Sequence, residues 1–492
     1  MEQAKRRIDF RANVRAVDPG MPAAIQKATT KFLGTRAASI QAFGIERWEE
    51  LRQAGHDLRL HTITYLDHYL ALLERRLTET GACVHWARDA GEARAIVLEI
   101  ARSHDVRRAV KVKSMVSEEI HLNQALIEAG IEPLETDLGE FIVQLLGVGP
   151  SHVLTPAIHL TREDIARLFR EHLGIDAPPD PVQLTAIARA ALRDAFLSAD
   201  LGLSGANFLV AETGTLVLVT NEGNGRMCTT LPPVHIAVVG IDKIVPDMRS
   251  LSVLLNLLAR SGTGQQLTAY TSFIRGPMRA GGTSGPGELH VVLLDNGRTR
   301  VLQDSIAREA LLCIRCGVCL NVCPVYNHVG GYAYGNVYSG PIGAILAPQL
   351  LGMSVAGDLP FASSLCGACA EYCPVKIPIP EILLRLRHRA VEGDQVEPPV
   401  LSPVLRACAG AAATSLSIPR LYDVGARLLG TAQVPWRRGD WLPHLPPPLN
   451  RWTLARPFPA FRPGFQRWWL KRTRQEERRS AGTGQGRPRR RR

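Results

Sequence analysis

The sequence predicts an α/β layered domain with a largely parallel sheet, then a small α-helical domain organised by cysteines, then an irregular basic extension. Three observations carry this reading. Between Cys83 and about Leu294, short apolar runs alternate with segments of helical periodicity, which is the pattern of a layered α/β domain. Seven of the ten cysteines are gathered between Cys313 and Cys373. Residues 451–492 hold fourteen Lys or Arg and two Glu, a net of +12 that equals the charge of the whole chain, so residues 1–450 sum to zero.

The elements follow in order. Residues 1–60 read as a helical segment, and from Ile45 through Arg76 apolar residues recur at helical spacing, among them Leu51, Leu58, Leu66, Leu70 and Leu73. The α/β domain is expected over 61–297. Its buried strands are Ala109–Val112, Ala206–Val210, Leu216–Val219, Ile236–Val239 and Val291–Leu294, with helices over Glu92–Ser103 and Ser117–Ala129. A Gly/Pro/Ser-rich stretch between Arg275 and Glu288 reads as a mobile loop. The cysteine domain is expected over 298–395 and the extension over 396–492.

Polar, Gly-rich segments fall where strands should end, around Lys113–Glu119, Glu135–Glu140, Glu212–Thr215 and Thr220–Arg226. Open α/β sheets bind ligands at the carboxyl ends of their strands, which makes Lys113, Glu212 and Arg226 the charged residues to test. The plainer reading makes these segments turns and caps, with Ser117 capping the helix that follows. No strand is followed by G-x-G-x-x-G and no P-loop is present, so no dinucleotide fingerprint is expected. Catalytic residues cannot be assigned from spacing.

The cysteines are more specific. Cys313, Cys316, Cys319 and Cys323, followed by Pro324, give the ferredoxin-type run C-x2-C-x2-C-x3-C-P. Three thiolates, each separated from the next by two residues, wrap one cluster, while the fourth, opening a helix with Pro324 at its first position, points to another. Cys366, Cys369 and Cys373, followed by Pro374, form a second and shorter run. Crossing over assigns Cys313, Cys316, Cys319 and Cys373 to cluster 1, and Cys323, Cys366 and Cys369 to cluster 2. Where a full second run would have a cysteine stands Ser363. Cluster 2 is therefore a three-iron cluster, or a 4Fe-4S cluster with water, Ser363 or another residue on the open iron; Cys228 and Cys408 are further donors. Zinc knuckles would explain the C-x2-C pairs but not the full run with its matching prolines. Tyr326, Tyr332 and Tyr334 nearby read as packing. Clustered thiols suit a reducing compartment better than a disulfide framework.

No stretch has the length of uncharged apolar sequence that spans a bilayer, and Ile342–Gly357, the nearest, is broken by Pro348. Nothing near Met1 reads as a signal peptide. A cytoplasmic protein is expected. Its basic tail serves either as a solvated appendage or as an anchor to an acidic partner or the anionic inner face of the membrane. No nucleic acid is expected.

The order of these features resembles the lactate-utilisation iron–sulfur protein family, the LutB or YkgF-like proteins. The resemblance runs through KSMVSEEIHLN (Lys113–Asn123), PLETDLGEFIVQL (Pro133–Leu145), SGANFLVAETGTLVLVTNEGNGR (Ser204–Arg226), ELHVVLLDNGR (Glu288–Arg298), YGNVYSGPIGAIL (Tyr334–Leu346) and SSLCGACAEYCPVKIPIPEIL (Ser363–Leu383). It implies a lactate-utilisation (LUD) domain, similar in fold to the isomerase and CoA-transferase group, then a ferredoxin-type domain with two 4Fe-4S clusters. It implies an electron-transfer subunit in the oxidation of L-lactate to pyruvate, beside a cysteine-rich redox protein and a single-domain LUD protein. The three-cysteine second run is similar to the family's own pattern. The alternative function is a redox sensor whose clusters control partner binding.

Overall fold

The computed structural model describes residues 7–278, 282, 285–394, 397–400, 403–446, 450, 453, 456–461 and 468–475. Residues 1–400 pack as one unit and 401–492 as another.

The first unit is built on a six-stranded sheet, ordered β1-β10-β7-β4-β2-β3, with every pairing parallel. Its strands are β1 (Cys83–Ala87), β2 (Arg108–Lys111), β3 (Glu132–Glu135), β4 (Leu201–Ser204), β7 (Val234–Gly240) and β10 (Glu288–Leu294). The central strands are apolar throughout because both faces are covered. Ile236 and Val238 of β7, with Val292 and Leu294 of β10, pack beneath the helix Ala90–Ser103. Ala237 and Val239, with Leu289, Val291 and Leu293, face the helix Leu66–Glu79 on the other side. Alternation of side chains along each strand makes one run serve two cores. Each Val or Leu buried this way contributes about 1.5–3 kcal/mol.

Two expected strands belong elsewhere. β5 (Phe208–Val210) and β6 (Thr215–Thr220) join β8 (Ile244–Val245) and β9 (Tyr270–Ile274) in a second sheet, ordered β8-β5-β6-β9, with β6 antiparallel to both neighbours. The expected helix Ser117–Ala129 is two helices, Met115–Glu119 and Leu122–Glu128, parted by His121 in the left-handed region at φ 52°. Its cap is Ser114, whose hydroxyl accepts from the Ser117 amide at 3.3 Å, and not Ser117. Edge strands β1 and β3 escape the apolar pattern, β1 because Cys83 and Trp86 are exposed, β3 because Pro133 interrupts it. Proline is tolerated at a sheet edge.

The N-terminal helices Met21–Phe43 and Ile45–Thr64 are no appendage. Arg59, 1 % exposed, donates to the backbone carbonyls of Asp242 and Ile244 at 2.5 and 2.7 Å, and to those of Leu311 and Leu312 at 2.8 and 3.2 Å. One buried guanidinium thus ties the sheet to the residues before Cys313. Beside it, Arg298 bridges Asp242 at 2.6 Å and Glu119 at 2.8 Å, all fully buried. Burial opposes the Asp242 charge, but Arg298, Arg315 and Lys243 hold its carboxyl well below the usual range.

The C-terminal unit holds helices Pro403–Ser417 and Pro419–Ala432, and pairs Trp441–Leu442 antiparallel with Phe458–Pro459. The expected basic tail beyond Gln475 and part of the Gly/Pro/Ser-rich loop lie outside the described residues. Among the described residues, no helix is long and apolar enough to cross a membrane.

Two outcomes follow from the buried charges. Arg298→Ala strands Glu119 and Asp242 in the interior, and chemical denaturation should show a loss of about 3–5 kcal/mol. His235 is buried on β7 with its Nε2 2.7 Å from the Ser204 hydroxyl, and burial, then the nearby His290, push its pKa down to about 4. An unfolded histidine takes up a proton near pH 6.5, which the folded one refuses, so this stability is present above pH 6.5 and is lost as pH falls toward 4. His235→Gln should therefore flatten the dependence of stability on pH across that window.

Candidate redox centre and adjoining cavity

The first cysteine run begins where a 3-10 turn, Ala307–Leu312, ends. Gly317, at φ 73°, caps the helix Val318–Val322, a conformation that favours glycine. Gly262 lets the helix Met248–Gly262 lie against the same loop, since a Cβ there would come 2.8 Å from the Cys316 carbonyl. Cys323 caps the helix Pro324–Val329. In the second run Gly367, at φ 86°, caps Ala368–Glu371. Arg315, Leu365 and Lys376 lie in the left-handed region at 61°, 55° and 48°. Each costs about 1–2 kcal/mol, so the cysteine loops are held in strained shapes by what surrounds them.

What surrounds the second run is largely N-terminal. Arg52 donates to the Cys373 carbonyl at 2.7 and 3.0 Å and to that of Glu371 at 2.7 Å. His56 Nδ1 lies 3.0 Å from the Val375 carbonyl, and Lys376 pairs with Glu49 at 2.7 Å. Arg36 reaches the Tyr372 carbonyl at 3.4 Å and lies over its ring.

Cys313, Cys316, Cys319 and Cys373 line one narrow cavity, closed by Ile314, Val318, Ile342, Val375, Ile377 and Ile379. Backbone amides point at the sulfurs: Arg315 N to Cys313 at 3.3 Å and Ile377 N to Cys373 at 3.4 Å. Such donors favour the thiolate form that iron requires. Burial dominates without metal, pushing Cys373 up to about 11, so cluster assembly has to expel protons. Cys323, Cys366 and Cys369 form a second neighbourhood, in which each of Cys323 and Cys369 is raised by burial and then by the charge of its companions. Cys366 is exposed while the other six are buried. Among the described residues no three His, Cys, Asp or Glu side chains stand close enough to hold a single metal ion; the four thiols are spread around cavity walls instead.

The Ser363 hydroxyl accepts from the Leu365 amide at 3.1 Å. The Tyr334 hydroxyl is buried without a hydrogen-bond partner, and burial, then Cys323, raise its pKa. An orphaned donor beside thiols of both neighbourhoods fits a site meant to carry sulfide and iron. Cys228 is buried 3.3 Å from the Thr136 hydroxyl, and Cys83 and Cys408 are exposed, Cys408 in the C-terminal unit.

A larger cavity, about 820 Å³, opens at the carboxyl ends of the parallel strands. From β2 the chain runs outward to β3, and from β4 it runs the other way through β7 to β10. A crevice forms at such a reversal. Val112–Ser114 after β2 and Gly205–Asn207 after β4 line it. Arg315 and Val153 line both this cavity and the cysteine one. Lys113, Lys243, Asn224 and Tyr338 stand in its polar wall, with Lys31, Asp137 and Glu222. Burial and then Arg315 push the Lys243 ammonium down to about 7. Burial and then Asp137 push the Glu222 carboxyl up to about 7.

Of the charged residues singled out by sequence, Lys113 reaches this cavity. Glu212 is exposed and does not line it; Arg226 is exposed and lies over the Tyr270 ring at 5.6 Å. Lys243, Arg315 and Tyr338 were missed. Arg315 sits inside the first cysteine run, and Lys243 lies just beyond the expected strand Ile236–Val239, so position held a signal that residue type did not.

Residues 70–294 match the LUD domain and residues 309–377 the 4Fe-4S dicluster domain. Lactate utilization protein B of Bacillus cereus (strain AH820) and that of Bacillus thuringiensis (strain Al Hakam) are each 40% identical over 470 residues, 95% of this chain and 98% of theirs. Among solved structures, a DUF162 family protein from Deinococcus radiodurans aligns at 16% identity and a TM-score of 0.25, covering 46% of this chain and 98% of that one. An iron-containing alcohol dehydrogenase from Corynebacterium glutamicum aligns at 12% identity and a TM-score of 0.18, covering 62% of this chain and 80% of that one. The chain, an α/β LUD domain followed by a helical 4Fe-4S dicluster region, belongs to the lactate utilization protein B family.

Proposed function

We propose that this chain is the iron–sulfur electron-transfer subunit of a complex that oxidises L-lactate to pyruvate, allowing lactate to serve as carbon and energy source. Its partners in this reading are a cysteine-rich redox protein and a single-domain LUD protein. It works in the cytoplasm, with the basic tail available to an anionic membrane surface. Family membership and the dicluster domain support a role in lactate utilisation and iron–sulfur electron transfer. The observation that carries the finer reading is the shared cavity of Cys313, Cys316, Cys319 and Cys373, two motifs contributing to one site.

In this reading those four residues hold a first 4Fe-4S cluster, and Cys323, Cys366 and Cys369 hold three corners of a second. When bound, the clusters supply one-electron carriers. The chain's own residues fix the loops: Arg52 and His56 hold the second run by its carbonyls, Arg59 holds the residues before Cys313, and apolar walls keep water from the first site. Ser363, the Tyr334 hydroxyl or water stand as candidates for the open corner; a three-iron cluster would need none.

Deletion of the gene should abolish growth on L-lactate in a strain without another lactate dehydrogenase; normal growth would sink the lactate assignment. Anaerobically assembled protein should carry about eight irons, or about seven if the second cluster has three. Cys373→Ser should remove the first cluster's paramagnetic resonance signal while leaving that of the second. Loss of the second signal instead would mean that each motif serves its own cluster.

A further inference from the structure

We propose that the cavity at the carboxyl end of the sheet binds a short 2-hydroxycarboxylate, its carboxylate held by Lys113 and Arg315 and its hydroxyl donating to Asn224. The inference rests on the proposed role in lactate oxidation and adds that this subunit itself holds the acid.

Buried polar atoms without partners are rare, and each needs an explanation. Three line this one cavity: Lys113 Nζ, Arg315 Nε and Asn224 Oδ1. Lys113 forms an ion pair with Glu140 at 3.7 Å, too long for a hydrogen bond, so its Nζ still lacks a hydrogen-bond partner. Asn224 spends its amide group on the Thr136 hydroxyl at 3.3 Å, leaving its oxygen in want of a donor. Two unfilled donors and one unfilled acceptor describe a ligand with an anionic acceptor group and a hydroxyl. Halides, sulfate and simple carboxylates lack the hydroxyl donor, and bicarbonate and hydrogenphosphate, which carry one, lack the carbon chain that the apolar part of the lining fits. The lining carries Lys31, Lys113, Lys243 and Arg315 against Asp137 and Glu222, while Glu140 and Asp242 pair with Lys113 and Arg315 from outside the lining.

Position supports the same ligand. Arg315 stands between Cys313 and Cys316 and faces both cavities, so an acid on its guanidinium lies one side chain from the first thiol site. Arg315 is held by stacking on Tyr338 at 4.9 Å and by Asp242 at 3.5 Å. The cavity is larger than a three-carbon acid needs. The acid takes its charged end, and Leu138, Ile142, Leu160 and Leu218 wall the rest.

The test is calorimetric titration of the full, anaerobically assembled chain with L-lactate, pyruvate and acetate. Saturable L-lactate binding is expected, with pyruvate several-fold weaker and acetate weaker still. Lys113→Met should weaken both lactate and pyruvate at least tenfold. Asn224→Ala should make lactate and pyruvate alike. Iron content and visible spectrum, unchanged in both variants, show that the fold and clusters persist. A wild-type chain that fails to bind L-lactate overturns the site, as does lactate binding untouched by Lys113→Met, or flavin mononucleotide occupying the cavity and excluding the acid. Failure to bind in a chain still required for growth on L-lactate removes the site and keeps the electron-transfer reading. A lactate-binding chain dispensable for that growth removes the electron-transfer reading and keeps the site.

Discussion

The architecture depends on a buried knot of charge at the junction of sheet and cysteine loop. Among the described residues Arg59 has no acidic partner within hydrogen-bond reach; it spends its guanidinium on four carbonyls, two from the segment after β7 and two just before Cys313. Arg298 then neutralises Asp242 and Glu119, and the Tyr338 hydroxyl donates to Glu119 at 2.6 Å. Hydrophobic residues of like volume would stabilise such a place as well or better. What charges add is direction, because each fixes a backbone carbonyl or a carboxylate at one angle. The loop carrying three thiols is therefore positioned by hydrogen bonds from elements distant in sequence, on which its strained residues rely.

That dependence explains what could be read from the sequence. The two cysteine runs, their prolines and Gly317 stand out in the sequence because their spacing is local, whereas packing brings Cys373 into the cavity of the first run. The central strands β7 and β10 were legible because burial on both faces leaves an unbroken apolar run. Strands β1 and β3 were not, since edge strands bury little and signal little. Nor could periodicity show that Leu216–Val219 joins a second sheet, because pairing partners lie far apart in sequence. The break at His121 escaped for a related reason. Glu118 and Glu119 look like the exposed start of one helix, yet they turn inward to Lys111 and Arg298.

The candidate site was legible in part for the same physical reason. Lys113 stood out because it follows a strand, and strand ends line crevices. Glu212 also follows a strand, β5, but β5 runs antiparallel to β6, whose carboxyl end lines the cavity, so Glu212 falls at the other end of that sheet. The N-terminal arginines, Arg36, Arg52 and Arg59, carried no sequence signal at all. Their value comes from carbonyls more than 180 residues away.

The exposure of Cys366 gives the molecule a direction. Of the seven thiols in the two runs, six are enclosed and this one faces solvent. On the proposed assignment, the first centre is an inner chamber beside the larger cavity, and the second is the doorway. If electrons leave by the second centre, the neighbourhood of Cys366 is where a partner could come nearest to these thiols. Oxygen would meet the same threshold first. Damage would then begin at the second centre and silence the exit before it touched the chamber.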